Sequence, residues 1–269
     1  MKILALLACL SGSLFAAELT PPAVNKSGIR VVTMDNTPEP DHVDLHMVFP
    51  KSGEVITESP VNIQIRVESY ALGVDSDFDR KKEIANSDKG QSIHIIVDNH
   101  PYFVANEALE DAFDDNMPYN VFTVDINIPF RLNPGMHTIR AFPVRSYNES
   151  LKGDRCFVSD VFYYMVKKET DTFDPNSTFL TYNEPRGTYS GAQPIMLDFY
   201  LTNCRLSRDG YKVRLTIDGT VARILTQWVP YYIYGLKRGT HTIKLELLDS
   251  SNKVVEGTFN SVTESISVR

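Results

Sequence analysis

The chain has 269 residues, 42% of them hydrophobic and 23% charged, the balance of an ordinary globular protein with length for one large domain or two small ones. It holds 27 Lys and Arg against 34 Asp and Glu, a formal net charge of −7, and no basic cluster rises above that acidic background. Nucleic acid and anionic membrane surfaces are gripped by concentrated positive charge, so neither is an expected partner.

The first 17 residues read as a secretory signal peptide: Lys2, then the apolar run ILALLACLSGSLF, then Ala16-Ala17 as a small-residue cleavage site before Glu18. The run is shorter than the roughly 20 residues a membrane span requires, so an anchor is the weaker reading. A lipoprotein acylated at Cys9 would leave an unusually short apolar run before the cysteine. Cleavage removes Lys2 and takes the net charge from −7 to −8. The mature chain is expected to be exported, whether periplasmic, on the cell surface or secreted, without a membrane span. Residues 18–44 are Pro-rich and irregular until IRVV, and read as a leader or a first edge strand.

From residue 45 the chain states one pattern twice. PVNIQIRVESY (Pro60 to Tyr70) lies over PIMLDFYLTNC (Pro194 to Cys204), with Val61, Ile63, Ile65 and Val67 alternating in register with Ile195, Leu197, Phe199 and Leu201. A period of two marks a half-buried strand. SIHIIVDN (Ser92 to Asn99) matches KVRLTIDG (Lys212 to Gly219), and the closing Asp-Asn and Asp-Gly tolerate the positive φ of a tight hairpin. LNPGMHTIRAF then matches LKRGTHTIKLEL, each a corner of Leu132, Gly135 and His137 or Leu236, Gly239 and His241 feeding a strand. Phe162 and Tyr164, then Ile266 and Val268, close the two copies.

Many short alternating strands separated by Gly, Pro, Asn and Asp predict an all-β protein of two tandem immunoglobulin-like antiparallel β-sandwiches. The boundaries are 45–167 for the first, a polar linker over 168–178, and 179–269 for the second. Asp-Gly after a strand, followed about twenty residues on by the Leu-x-x-Gly-x-His corner, resembles the bacterial immunoglobulin-like (Big-type) domains of secreted and surface proteins. The second copy fits this pattern; the first departs from it with Asn99 and longer loops. The resemblance implies a binding, adhesive or spacer role, at the level of fold.

The offset between copies falls from 134 to 120 to 104 residues along the three matches, so the first copy carries 14 extra residues before its second strand and 16 after it. Strand reversal is expected to bring these insertions and the loop VRSYNESLKGDR to one pole, facing away from the second sandwich. Asp75, Asp77, Asp79, Asp111, Asp114, Asp115, Arg145, Tyr147, Glu149 and Lys152 are the candidate ligand-binding residues there, on loops of the kind that carry binding in variable domains.

Chemistry beyond binding finds little support. DSDFD spaces its carboxylates as calcium loops do but has Arg80 and Asn86 where glycine and glutamate belong. Calcium is thus the one cofactor these residues leave open, and no other cofactor or metal is expected. His137 and His241 read as inward imidazoles bonded to nearby backbone rather than metal ligands. His94 alternates outward, and could share a surface with His42, His46 and His100. G-x-S-x-G, H-E-x-x-H, P-loop and C-x-x-C motifs are missing, so no enzyme is expected. Trp228 and the tyrosines of QWVPYYIYG could stack on sugars, although half should be core by alternation. Cys156 and Cys204, placed at different ends of the layout, are expected to be unpaired thiols. The reading is an exported, non-enzymatic binding or adhesion module with a protein or glycan partner; the alternative is a periplasmic or surface enzyme, or its accessory carbohydrate-binding part.

Overall fold

The computed structural model describes residues 28–107 and 121–269. The signal-peptide reading, Cys9, Asp111, Asp114 and Asp115 lie outside the described residues.

The alternating segments form strands at every matched position. In chain order they are β1 (Arg30–Thr33), β2 (Asp44–Phe49), β3 (Val55–Ile56), β4 (Asn62–Glu68), β5 (Ser92–Val97), β6 (Phe103–Ala105), β7 (Val121–Asn127), β8 (Gly135–Val144) and β9 (Val158–Tyr164). The second half follows with β10 (Phe179–Glu184), β11 (Gly187–Tyr189), β12 (Ile195–Thr202), β13 (Lys212–Ile217), β14 (Val221–Leu225), β15 (Tyr231–Tyr234), β16 (Gly239–Leu248) and β17 (Ser261–Val268). One short helix, α1 (Arg80–Glu83), interrupts the loop between β4 and β5.

The two halves share one strand plan. In the first, sheet β2-β4-β7 faces sheet β3-β9-β8-β5-β6; in the second, β15-β12-β10 faces β11-β17-β16-β13-β14. In both, a short strand pairs parallel with the last strand, β3 with β9 and β11 with β17. This is an immunoglobulin-like sandwich built twice, each around its own apolar interior. Ile63, Ile65, Ile95, Val124, Ile139 and Phe162 fill the first core; Leu197, Phe199, Leu215, Ile243, Leu245 and Ile266 fill the second. Cys156 belongs to the first core, Cys204 packs against the second, and both are free thiols.

The leader is an edge strand, and it belongs to the distant sandwich. β1 pairs antiparallel with β15, Val31 opposite Ile233, and Ile29 and Val31 enter the second core. The described residues therefore begin in the second sandwich and cross into the first through residues 34–43.

Burial along the strands shows how the sandwiches meet. β4 alternates as a strand with one wet face should, whereas β5, β10 and nearly all of β12 are buried on both faces. The outward residues of β5 and β8 lie against those of β10 and β12. Ile96, Phe142, Val144 and Tyr200 form one apolar cluster across this contact; Ile84, Tyr147, Met196 and Tyr232 form another. Phe157 and Tyr200 stack at 4.4 Å between ring centroids.

Candidate functional site

The corner histidines come first, because they fix the loops at one end of each sandwich. Asp98 and Asp218 have φ of 53° and 50°, as the tight turn after β5 or β13 demands. That turn aims each carboxylate at the corner. Asp98 bonds His137 Nδ1 at 2.7 Å and accepts from the Thr138 amide at 2.9 Å; Asp218 does the same for His241 at 2.7 Å and Thr242 at 2.8 Å. The other ring nitrogen meets a carbonyl four residues back, Asn133 at 2.8 Å and Lys237 at 2.7 Å. Both partners of each ring only accept, so both ring nitrogens carry protons. Burial opposes the charge, but these bonds outweigh it and raise the pKa of both histidines.

Two of the three loops, the one before β5 and the one after β8, do converge, while most of the second insertion lies outside the described residues. Ser87 donates its amide to the Ser146 carbonyl at 2.8 Å, Ser76 to Ser146 Oγ at 3.0 Å, and Arg80 pairs with Glu149. Their direction corrects the sequence expectation: they do not face away from the second sandwich. Ile84 and Tyr147 pack on Met196 and Tyr232, and Tyr232 donates its hydroxyl to Glu83 at 2.9 Å.

Four candidate residues are consequently engaged in contacts within the chain. Arg145, Tyr147 and Glu149 are buried and hold the crossing segment: Arg145 bonds the Pro38 carbonyl, Tyr147 shares a 2.9 Å bond with Thr37, and Glu149 accepts from the Thr37 amide at 2.8 Å. Lys152 pairs with Asp198 of the second sandwich at 2.7 Å. The open-surface candidates are Asp75, Asp77 and Asp79, of which Asp79 pairs with Lys82 at 2.6 Å. Among the described residues no group of three or more His, Cys, Asp or Glu is arranged to hold a metal.

Around Lys152 runs a dry polar network. Ser150 donates to Asp198 at 2.6 Å, Asn183 donates to Asp198 at 2.8 Å and to the Asn148 carbonyl at 2.7 Å, and the Asn183 amide oxygen therefore faces His94 Nδ1 at 2.8 Å. His94 does point away from its own core, but the second sandwich covers it to 1% exposure, which corrects its expected surface position. Burial drives its pKa down to about 3 against the Asn183 bond, so the ring is neutral. Ser150 and Lys152 have the residue types of a nucleophile and base. Ser150 is buried and donates to a carboxylate, and Lys152 is paired with that same carboxylate at 2.7 Å.

One edge of this junction opens into a cleft of about 1110 Å³, slightly larger than the roughly 300–1,000 Å³ of ordinary ligand pockets. Lys152, Gly153, Asp154, Phe157 and Ser159 bound it from the first sandwich, Pro175 and Asn176 from the linker. The second sandwich supplies Tyr200 to Leu206, Tyr211 and Trp228. Each wall has a local cause. Asp174 accepts the Asn176 amide at 2.8 Å and turns the linker; Asn203, at φ 51°, donates to the Asn176 carbonyl. A Cβ at Gly210 would meet Ser207 Oγ at 2.6 Å, so any other residue would turn that serine away and break its 2.8 Å bond from the Gly210 amide in the loop that carries Tyr211. Trp228 Nε1 donates to the Phe199 carbonyl at 2.8 Å, which sets the indole beside Tyr200. Trp228 was legible as an aromatic candidate; the cleft was not, since its walls come from three separate stretches.

No family model matches the chain, and no curated protein matches it. Solved structures with some likeness include the fibronectin(III)-like modules of Clostridium thermocellum CbhA, 15% identical over 84% of this chain and 94% of that one, with a TM-score of 0.27. A chimeric titin Z1Z2 tandem is 10% identical over 83% and 97%, at 0.22. SGBP-B of the Bacteroides ovatus mixed-linkage glucan utilization locus, solved with a mixed-linkage heptasaccharide, is 11% identical over 94% and 69%, at 0.23. Superpositions this loose carry no argument about function; the immunoglobulin-like architecture rests on the strand order of the chain itself.

Proposed function

We propose that this chain is an exported, non-catalytic binding module of the bacterial immunoglobulin-like type, whose ligand enters the cleft between its two sandwiches. The carrying observation is that cleft: it is built from both sandwiches and the linker, and the buried contacts behind it fix its walls. A second sandwich that served only as a spacer would have no need of so large a dry junction. Export is supported by the apolar N-terminal run with its Ala16-Ala17 site, and a non-catalytic role by the missing enzyme motifs and the ion-paired state of Lys152. Among the described residues no helix is long and apolar enough to cross a membrane.

Selection of ligands from a peptide library and a glycan array tests the reading. Retained ligands are expected to be lost on combining Tyr211→Ala with Arg205→Ala, and kept by a variant with Asp75, Asp77 and Asp79 changed to Asn. The opposite pattern would move the site to the acidic loop.

A further inference from the structure

We infer that the ligand of the cleft is a neutral oligosaccharide, an inference that rests on the cleft being the binding site. Three features of the lining carry it. The first is charge: Lys152 is matched by Asp198 behind it, and the other two charges, Asp154 and Arg205, are of opposite sign. An anion or polycation would meet no field to draw it in, since charged ligands are selected by walls of one sign.

The second feature is aromatic. Phe157, Tyr211 and Trp228 are half-buried around the cleft, ring surfaces of the kind on which the C–H faces of a sugar pack. The third is hydroxyl and amide chemistry. Ser159 Oγ and Thr202 Oγ1 are shielded from water and have no hydrogen-bond partner among the described residues, and both residues line the cleft beside Asn176 and Asn203. An unmet hydroxyl carries a cost, which rotation of these partly exposed side chains onto a ligand hydroxyl would relieve. A ligand dense in hydroxyls and without charge matches all three, and the volume admits several sugar units.

Trp228 is the chain's only tryptophan, so its emission reports on this site alone. The full chain is titrated to millimolar concentration with cello-, malto-, manno- and xylo-oligosaccharides, with oligogalacturonate as the anionic counterpart and oligolysine and a neutral peptide as controls. A saturable shift with at least one neutral sugar is expected, weakened about tenfold or more when Ser159→Ala and Thr202→Val are combined. Those changes remove hydroxyls that bond nothing, so the melting temperature should not fall. Silence with every neutral sugar overturns the inference. A shift with the peptide or a charged polymer alone, lost on Tyr211→Ala, also overturns it while the cleft stands as the site. Sugar binding untouched by any cleft substitution overturns both.

Discussion

Lys152 and Asp198 meet at 2.7 Å across the junction of the sandwiches, their side chains only 7% and 0% exposed. A pair this dry depends on both members, because removing one strands the other's charge away from water. Asp198→Ala is expected to cost about 3–5 kcal/mol, and Asp198→Asn to recover part of it by keeping the bonds to Ser150 and Asn183. Chemical denaturation of the two variants measures this. An Asp198→Ala protein as stable as the parent would mean that the junction is open in solution.

The N-terminal strand makes a second prediction. Val31 lies opposite Ile233 and points into the second core, so Val31→Asp places an unpaired charge there. Amide exchange should show lost protection at Tyr231–Tyr234 while β4 and β7 of the first sandwich stay protected. Uniform loss in both sandwiches would argue against a local role for β1.

The corner histidines give stability of one sign with pH. Their folded pKa lies above the unfolded value of about 6.5, so their contribution is complete below that pH and fades as pH rises through the folded pKa. Relative to His241→Gln, the parent should gain most in mild acid and little in base. Equal pH profiles for the two proteins would refute the doubly protonated ring.

His94 works in the other direction. Its folded pKa of about 3 is far below the unfolded value, so the unfolded chain takes up a proton that the folded one refuses. Stability should fall as pH drops below about 6.5, by up to roughly 1.4 kcal/mol per unit from this residue. His94→Gln keeps a donor for Asn183 without a titrating ring, and its acid limb should be flatter. Denaturation midpoints between mild acid and neutrality compare the two.

Both strand plans were legible because Ile63 and Leu197, or Ile139 and Ile243, had to alternate inward in either copy. The same comparison applied to outward positions would have revealed the junction. Where the first copy has Ile96 and Phe142, the second has Thr216 and Glu246; where the second has Met196 and Tyr200, the first has Asn62 and Arg66. Apolar residues on a face that its twin keeps polar mark a covered surface. Counting strand reversals predicted that the loops around Ser76, Ser87 and Ser146 would converge. It did not give their direction, which Tyr147, Met196 and Tyr232 set by packing across the chain. The cleft was hidden for the same reason, as Phe157, Asn176 and Trp228 are distant in sequence.

β1 has a consequence for the order of assembly. Val31 and its partner Ile233 are separated by 233 − 31 = 202 residues, so a polypeptide made N-terminus first delivers one half of this pairing long before the other. Closing so long a loop is slow, and until it closes the rim of β15 remains an unmated edge of the kind that captures stray strands. Completion of the second sandwich is then expected to wait on β1, and a molecule clipped between the two strands would lose its covalent tether to the piece that seals that edge.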